Sequence, residues 1–196
     1  MKILKINKKN LKSTIEIAMK AIKQGKVVVC PTDTVYGLLA DATQKKAVER
    51  LFKIKKRPKG KAVPIFDKDI KTARKLAFID KEQEKFLKKV WPGKVTVVLK
   101  KKAKIKVFGA AAKTIGLRIP NYKLVNTLLA ELNRPLTGTS ANISGKPAST
   151  KIQEVITQFT KRSIKPDLVI DAGNLKKSKP STVIDLTKKK PKILRL

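Results

Sequence analysis

The sequence predicts an α/β fold, a single domain over residues 1–196 in which a twisted, mostly mixed β-sheet is flanked by helices. Segments with apolar residues at helical spacing alternate with short apolar runs along the chain, which is the pattern of helices packed on a sheet. The length, 196 residues, suits one domain with a real core. The 10 prolines and 9 glycines are spread out, not gathered into a disordered tract or a linker.

Asn10 to Gln24 carries Leu11, Ile15, Ala18 and Ile22 on one helical face and stops at Gly25, a helix-ending residue. Val27 to Cys30 is a short apolar run of the kind buried on both faces, so it reads as a central strand. Thr43 to Ile54 is a second helix, with Ala47, Val48, Leu51 and Ile54 on one side. Pro58 prevents its continuation. A strand is expected over Ala62 to Phe66, then helices over Ile70 to Leu76 and Lys81 to Val90. Trp91-Pro92-Gly93 ends the second of these. Val95 to Leu99 and Ile115 to Ile119 read as strands, Leu124 to Leu132 as a helix and Pro135 to Thr139 as a short strand opening into the Ser140 to Gly145 loop. Ile152 to Phe159 is helical. Leu168 to Asp171, Val183 to Leu186 and Ile193 to Leu194 complete the strands, all expected in one sheet. Lys100 to Ala112 and Gly173 to Lys179 have no clear period and are expected to be mobile.

Composition excludes several classes. With no histidine and one cysteine, Cys30, an intramolecular disulfide is impossible and an ordinary zinc site is not expected. Cys30 ends an apolar run and reads as a small buried hydrophobe. The start, Met1 to Lys5, has neither the apolar core nor the cleavage pattern of a signal peptide, so no membrane association and a cytoplasmic location are expected. The net charge is +34, from 48 Lys and Arg against 14 Asp and Glu. Only seven of the cations are arginine, and aromatics are 5 %. A reader of nucleic acid more often shows clustered arginine with interleaved aromatics. Scattered lysine therefore reads first as bulk composition, with attraction of RNA or ATP as the functional alternative.

Four segments carry the candidate chemistry: Pro31 to Gly37, Lys55 to Pro58, Thr139 to Gly145 and Pro180 to Asp185. Each is rich in hydroxyls, amides or cations and lies where an apolar run gives way to a turn. Such segments converge at the end of a sheet, where a nucleotide and a small anion can bind. Lys55 and Arg57 lie two apart at a helix end; on extended chain they would share a side and face one pocket. Ser140 and Asn142 offer a hydroxyl and an amide to a phosphate, or else cap a helix or an Asx turn. Thr32 and Thr34 suit the polar groups of an amino acid, with Tyr36 as a wall. Arg118, a lone arginine at a strand end, suits a carboxylate bidentately.

In this order the segments resemble the YrdC/TsaC family of L-threonylcarbamoyladenylate synthases, from about Ile6 to Leu196. The Lys-x-Arg and Ser-x-Asn pair is the family signature, and Arg118-Ile119-Pro120 and Ile193-Leu194-Arg195 extend the match. The resemblance implies a YrdC-like fold in its short, single-domain form. It implies a nucleotidyltransferase that converts L-threonine, bicarbonate and ATP into L-threonylcarbamoyladenylate and pyrophosphate. The product would pass to a threonylcarbamoyl transferase complex that modifies tRNA beside the anticodon. It further implies Lys55 and Arg57 as catalytic residues, and Lys55, Arg57, Ser140, Asn142 and Arg195 as ATP-binding. Thr32, Thr34, Tyr36, Lys61, Arg118 and Ser181 would bind threonine. ATP is a substrate that carries Mg2+ with it; no protein metal site is expected. tRNA is a candidate partner, and a non-catalytic RNA-binding module of the same fold is the alternative. A carbamoyl transferase of hydrogenase maturation, which uses a related domain, is set aside because this chain has no room for that protein's additional parts.

Overall fold

A computed structural model of the chain describes residues 1–196 other than Lys59, Lys104 and Lys189. In chain order the elements are β1 (Lys2–Lys5), α1 (Leu11–Lys23), β2 (Val28–Cys30), β3 (Gly37–Leu39), α2 (Lys45–Lys55), β4 (Ile65–Phe66), α3 (Ile70–Leu76) and α4 (Lys81–Val90). They continue with β5 (Val95–Lys100), β6 (Thr114–Arg118), α5 (Lys123–Leu132), β7 (Leu136–Thr137), β8 (Thr139–Ser140), α6 (Ile152–Thr160), β9 (Leu168–Asp171), β10 (Thr182–Asp185) and β11 (Lys192–Arg195).

The α/β class and the mixed strands flanked by helices agree with the sequence reading. The single sheet does not. The strands form a five-stranded sheet, β1-β9-β2-β3-β8, and a six-stranded one, β11-β10-β5-β6-β4-β7. β2 is central in the first, as its unbroken apolar run requires. It pairs parallel with β9 and antiparallel with β3.

The division into two sheets turns on Gly138. The expected strand Pro135 to Thr139 is broken there: β7 pairs with β4 in one sheet, and β8 pairs with β3 in the other. The Gly138 N–H donates to the Pro64 carbonyl at 2.8 Å. A Cβ at Gly138 would lie 2.2 Å from the Phe66 ring. The chain thus changes sheets at a point where only hydrogen fits. Gly138→Ala is expected to cost about 1–3 kcal/mol by overpacking. Chemical denaturation of the two proteins measures this as a lowered midpoint.

Helix α2 shows how sequence places the site. Ala47, Val48, Leu51 and Ile54 are buried on one face, and Ala47, Leu51 and Ile54 join Val27, Val29, Leu38, Phe159 and Val169 in one core cluster. That packing fixes the rotation of the helix and so the direction of its last residue, Lys55. Lys56 follows in the left-handed region at φ 49°. The N–H groups of Lys56 and Arg57 close back on the Lys53 and Phe52 carbonyls, which satisfies the helix end.

In the stretch Lys100 to Ala112, Lys100 belongs to β5, and the rest, where described, is irregular but anchored: Val107 is buried, Phe108 N–H donates to Ala42 and Gly109 accepts from Val63. The segment thus has packing and backbone bonds that its sequence, expected to be mobile, did not announce. No helix among the described residues is long and apolar enough to cross a membrane.

Candidate functional site

A cavity of about 210 Å³ opens where β8, β4, β6 and the chain before β10 approach one another. Every residue singled out from the sequence lines it: Thr32, Thr34 and Tyr36 from the first segment, Lys55, Arg57 and Lys61 from the second, Arg118 from the end of β6, Ser140 and Asn142 from the third, Ser181 from the fourth, and Arg195 from β11.

Lys55 ties two of the segments together. Its buried ammonium donates to the Ser140 carbonyl at 2.7 Å, the Asn142 Oδ1 at 2.7 Å and the Asn142 carbonyl at 3.1 Å. An ammonium has three protons, so all are engaged as placed. Its backbone carbonyl accepts from Ser144 N–H at 2.7 Å. Ser140 Oγ closes the knot on Asn142 Oδ1 at 2.6 Å. Burial, with Arg57 adding to it, pulls the Lys55 ammonium down to about 7. The surrounding oxygens favour the charged form, and we assign the knot to the protonated lysine. Lys55 therefore organises the Ser140 to Ser144 loop and brings its charge to that wall. The expectation that Lys55 and Arg57 face one cavity holds, but not through strand alternation: Lys55 ends a helix, and the left-handed Lys56 turns Arg57 back towards the cavity.

Arg57 donates Nε to the Lys61 carbonyl at 2.7 Å and Nη2 to the Ala62 carbonyl at 2.6 Å. Arg195 donates Nε and Nη2 to the Ser181 carbonyl at 3.0 and 2.6 Å. Ser181 Oγ lies 2.9 Å from Thr96 Oγ1. Both arginines are held by carbonyls, and burial pulls both guanidiniums below the ordinary arginine value.

Arg118 is different. It is buried, with Nε donating to the Gly93 carbonyl at 2.8 Å, Nη1 to Thr34 Oγ1 at 3.3 Å and Nη2 to Asp33 Oδ1 at 2.5 Å. Burial opposes its charge, Asp33 restores it, and nearby Arg195 works against it. A guanidinium has five N–H groups; with three engaged, one on each terminal nitrogen has no acceptor among the described residues. That leaves Arg118 able to take a carboxylate without breaking its own anchors.

Three features were missed in the sequence. Asp33 goes unremarked between its two threonines, and nothing local announces that Arg118, far along the chain, returns to it. Ser144, the third polar residue of its loop, lines the cavity with a hydroxyl that has no partner among the described residues; its spacing after Ser140 and Asn142 is the signal that was available. Asp171-Ala172-Gly173, where β9 ends, is a clamp that no local pattern announces. Ala172 N–H donates to the Tyr36 hydroxyl at 3.1 Å, and that hydroxyl donates to the Gly173 carbonyl at 2.7 Å. Tyr36 is thereby fixed as a fully buried wall.

These features define an α/β protein with a cation-lined cleft at the junction of two sheets, suited to phosphate and carboxylate together. The family model described as telomere recombination (Sua5/YciO/YrdC) matches residues 20–196. The chain belongs to that family. A putative threonylcarbamoyl-AMP synthase of Methanocaldococcus jannaschii is 39 % identical over 186 residues, which cover 95 % of this chain and 86 % of that protein. The crystal structure of Pyrococcus abyssi Sua5 complexed with L-threonine aligns with a TM-score of 0.91 at 35 % identity, covering 100 % of this chain and 57 % of that one. Thus the chain spans little more than half of the archaeal Sua5. Escherichia coli YciO, an uncharacterized protein, aligns with a TM-score of 0.85 at 28 % identity, covering 99 % of this chain and 93 % of that one.

Proposed function

We propose that this protein is an L-threonylcarbamoyl-AMP synthase, a nucleotidyltransferase that joins L-threonine, bicarbonate and ATP and releases pyrophosphate. The observation that carries the reading is the convergence of Lys55, Arg57, Lys61, Arg118 and Arg195 with the Ser140–Asn142 loop on one cavity. All the reactants are anionic or carry a carboxylate, and the site answers with cations, hydroxyls and an amide. The relatives' names and the threonine held by the archaeal Sua5 support the same reading.

The threonine amine adds to the bicarbonate carbon, and water leaves to give an N-carboxylate. An oxygen of that carboxylate attacks the α-phosphorus of ATP, and pyrophosphate departs. Arg118 holds the threonine carboxylate with its free N–H groups, between Thr32 and Thr34. Lys61 and Ser181 complete the amino-acid end. Arg57 and Arg195 face the triphosphate, and the loop ordered by Lys55 presents Ser140 and Asn142 to it. The chain has no histidine, and no carboxylate lines the cavity among the described residues. Positioning and electrostatics therefore supply most of the rate. The same residues offer no donor set for a divalent metal, and no metal-binding cluster of His, Cys, Asp or Glu occurs among the described residues. We place magnesium on the ATP phosphates. The product then passes to a threonylcarbamoyl transferase acting on tRNA.

Omitting reactants one at a time tests this reading. Pyrophosphate release is expected only when threonine, bicarbonate and ATP are all present. Release that proceeds equally well without threonine contradicts it.

A further inference from the structure

The cations around the cavity are not equivalent. Among the described residues, Lys55, Arg57 and Arg195 bond only to carbonyl, amide and hydroxyl oxygens. Arg118 alone of the cavity's cations is ion-paired, to Asp33 at 2.5 Å. The pair is sealed: the side chains are 4 % and 8 % exposed. Asp33 Oδ2 also accepts from Asn121 N–H at 3.0 Å, which locks the carboxylate behind the guanidinium. Gly93 and Thr34 hold Arg118 from two further directions, and its Cζ lies 5.5 Å from the centre of the Phe66 ring. Asp33 itself does not line the cavity. The cavity thus has one end where a cation is already answered by a buried anion, and another where the cations are not.

We propose that Asp33 is a positioning and specificity residue that sorts the two anions: it mutes Arg118 so that this end takes the single carboxylate of an amino acid and refuses a polyphosphate. The inference rests on the synthase reading above. A single carboxylate needs chiefly two correctly placed N–H groups, which the anchored guanidinium offers, and its one charge meets far less repulsion from Asp33 than a polyphosphate does. A triphosphate carries several negative charges, and a fixed carboxylate within ion-pair distance of its binding cation repels it strongly in a buried setting. Without Asp33, Arg118 and its neighbour Arg195 would form an unopposed cationic pair. ATP would then bind across the threonine end as well as in its own place.

The test is Asp33→Asn, which keeps the shape and an acceptor oxygen but removes the charge. In calorimetric titrations of the full chain at physiological salt, threonine affinity is expected to fall about tenfold or more. Affinity for tripolyphosphate is expected to rise about tenfold, and tripolyphosphate is expected to become competitive with threonine. A purely structural role would weaken both ligands together, and that result overturns the proposal. Asp33→Glu keeps the charge on a longer arm; it should bind threonine less well yet still refuse tripolyphosphate. Equal tripolyphosphate affinity in the Glu and Asn variants also overturns it. The unaltered protein gives a further check that depends on neither variant. Tripolyphosphate should leave threonine binding in place, and displacement of threonine by it in simple competition contradicts the sorting. Failure of the unaltered protein to release pyrophosphate would count against the synthase reading instead, since these titrations need no turnover.

Discussion

Replacing Lys55 or Arg57 with alanine is expected to lower pyrophosphate release by about a hundredfold to a thousandfold, the range seen when one preorganised donor facing developing charge is removed. Each change deletes a single charge from +34. The effect comes from position. Without Lys55, the Ser140 and Asn142 carbonyls and the Asn142 side chain lose the ammonium that gathers them. Without Arg57, the cavity loses a cation braced by two carbonyls. Neutralising Lys100, Lys101, Lys102 and Lys104 together removes four times the charge but should leave turnover nearly intact. Lys100 closes β5, Lys101 bridges to Ala77 and Lys102 lies over Phe78 at 5.6 Å; none of these lines the cavity, and Lys104 lies outside the described residues. Surface charge beyond about 8–10 Å is largely screened at physiological salt. tRNA affinity should respond the other way, weakened with a shallower salt slope by the lysine changes and barely moved by the Lys55 change. Turnover and salt-dependent tRNA binding measured on both sets of variants decide the matter. Equal loss of turnover in the two sets would mean that the chemistry is not concentrated at this cavity.

Arg118→Ala should weaken threonine far more than ATP. A charge-assisted bidentate contact is worth roughly 1.5–3 kcal/mol, so about a tenfold to hundredfold loss for threonine is expected. The same change leaves Asp33 buried without its partner, which destabilises the fold by about 3–5 kcal/mol. Binding should therefore be measured well below the unfolding temperature, on protein shown to be folded. Equal losses for threonine and ATP would remove Arg118 from the amino-acid end.

Much of this architecture could be read from residues alone, because the long helices and the central strand carry periodic or unbroken apolar patterns. Some cavity-lining residues stood out by type in a lysine-rich chain, an arginine at a strand end, paired threonines and a Ser-x-Asn loop, whereas Lys61, Ser181 and Arg195 were marked only by the family resemblance. What escaped was non-local. Gly138 looks like any strand glycine until Phe66 is packed against it, so the split into two sheets was invisible. β1 and β3 were missed because Lys2-Ile3-Leu4-Lys5 holds only two adjacent apolar residues between lysines, and Gly37 to Leu39 is too short to show a period. Lys55 looked like a phosphate contact, and only its neighbours in space reveal that it gathers a loop. Asp33 went unremarked, because its partner stands 85 residues further on.

The most direct measurement of the central claim is the mass and isotopic content of the product. The protein is incubated with ATP, L-threonine and carbon-13 bicarbonate, and the nucleotide fraction is analysed at once. The account predicts an adenylate that contains threonine and one heavy carbon, formed in step with pyrophosphate. Pyrophosphate accompanied only by AMP, or an adenylate of threonine without the heavy carbon, would contradict it.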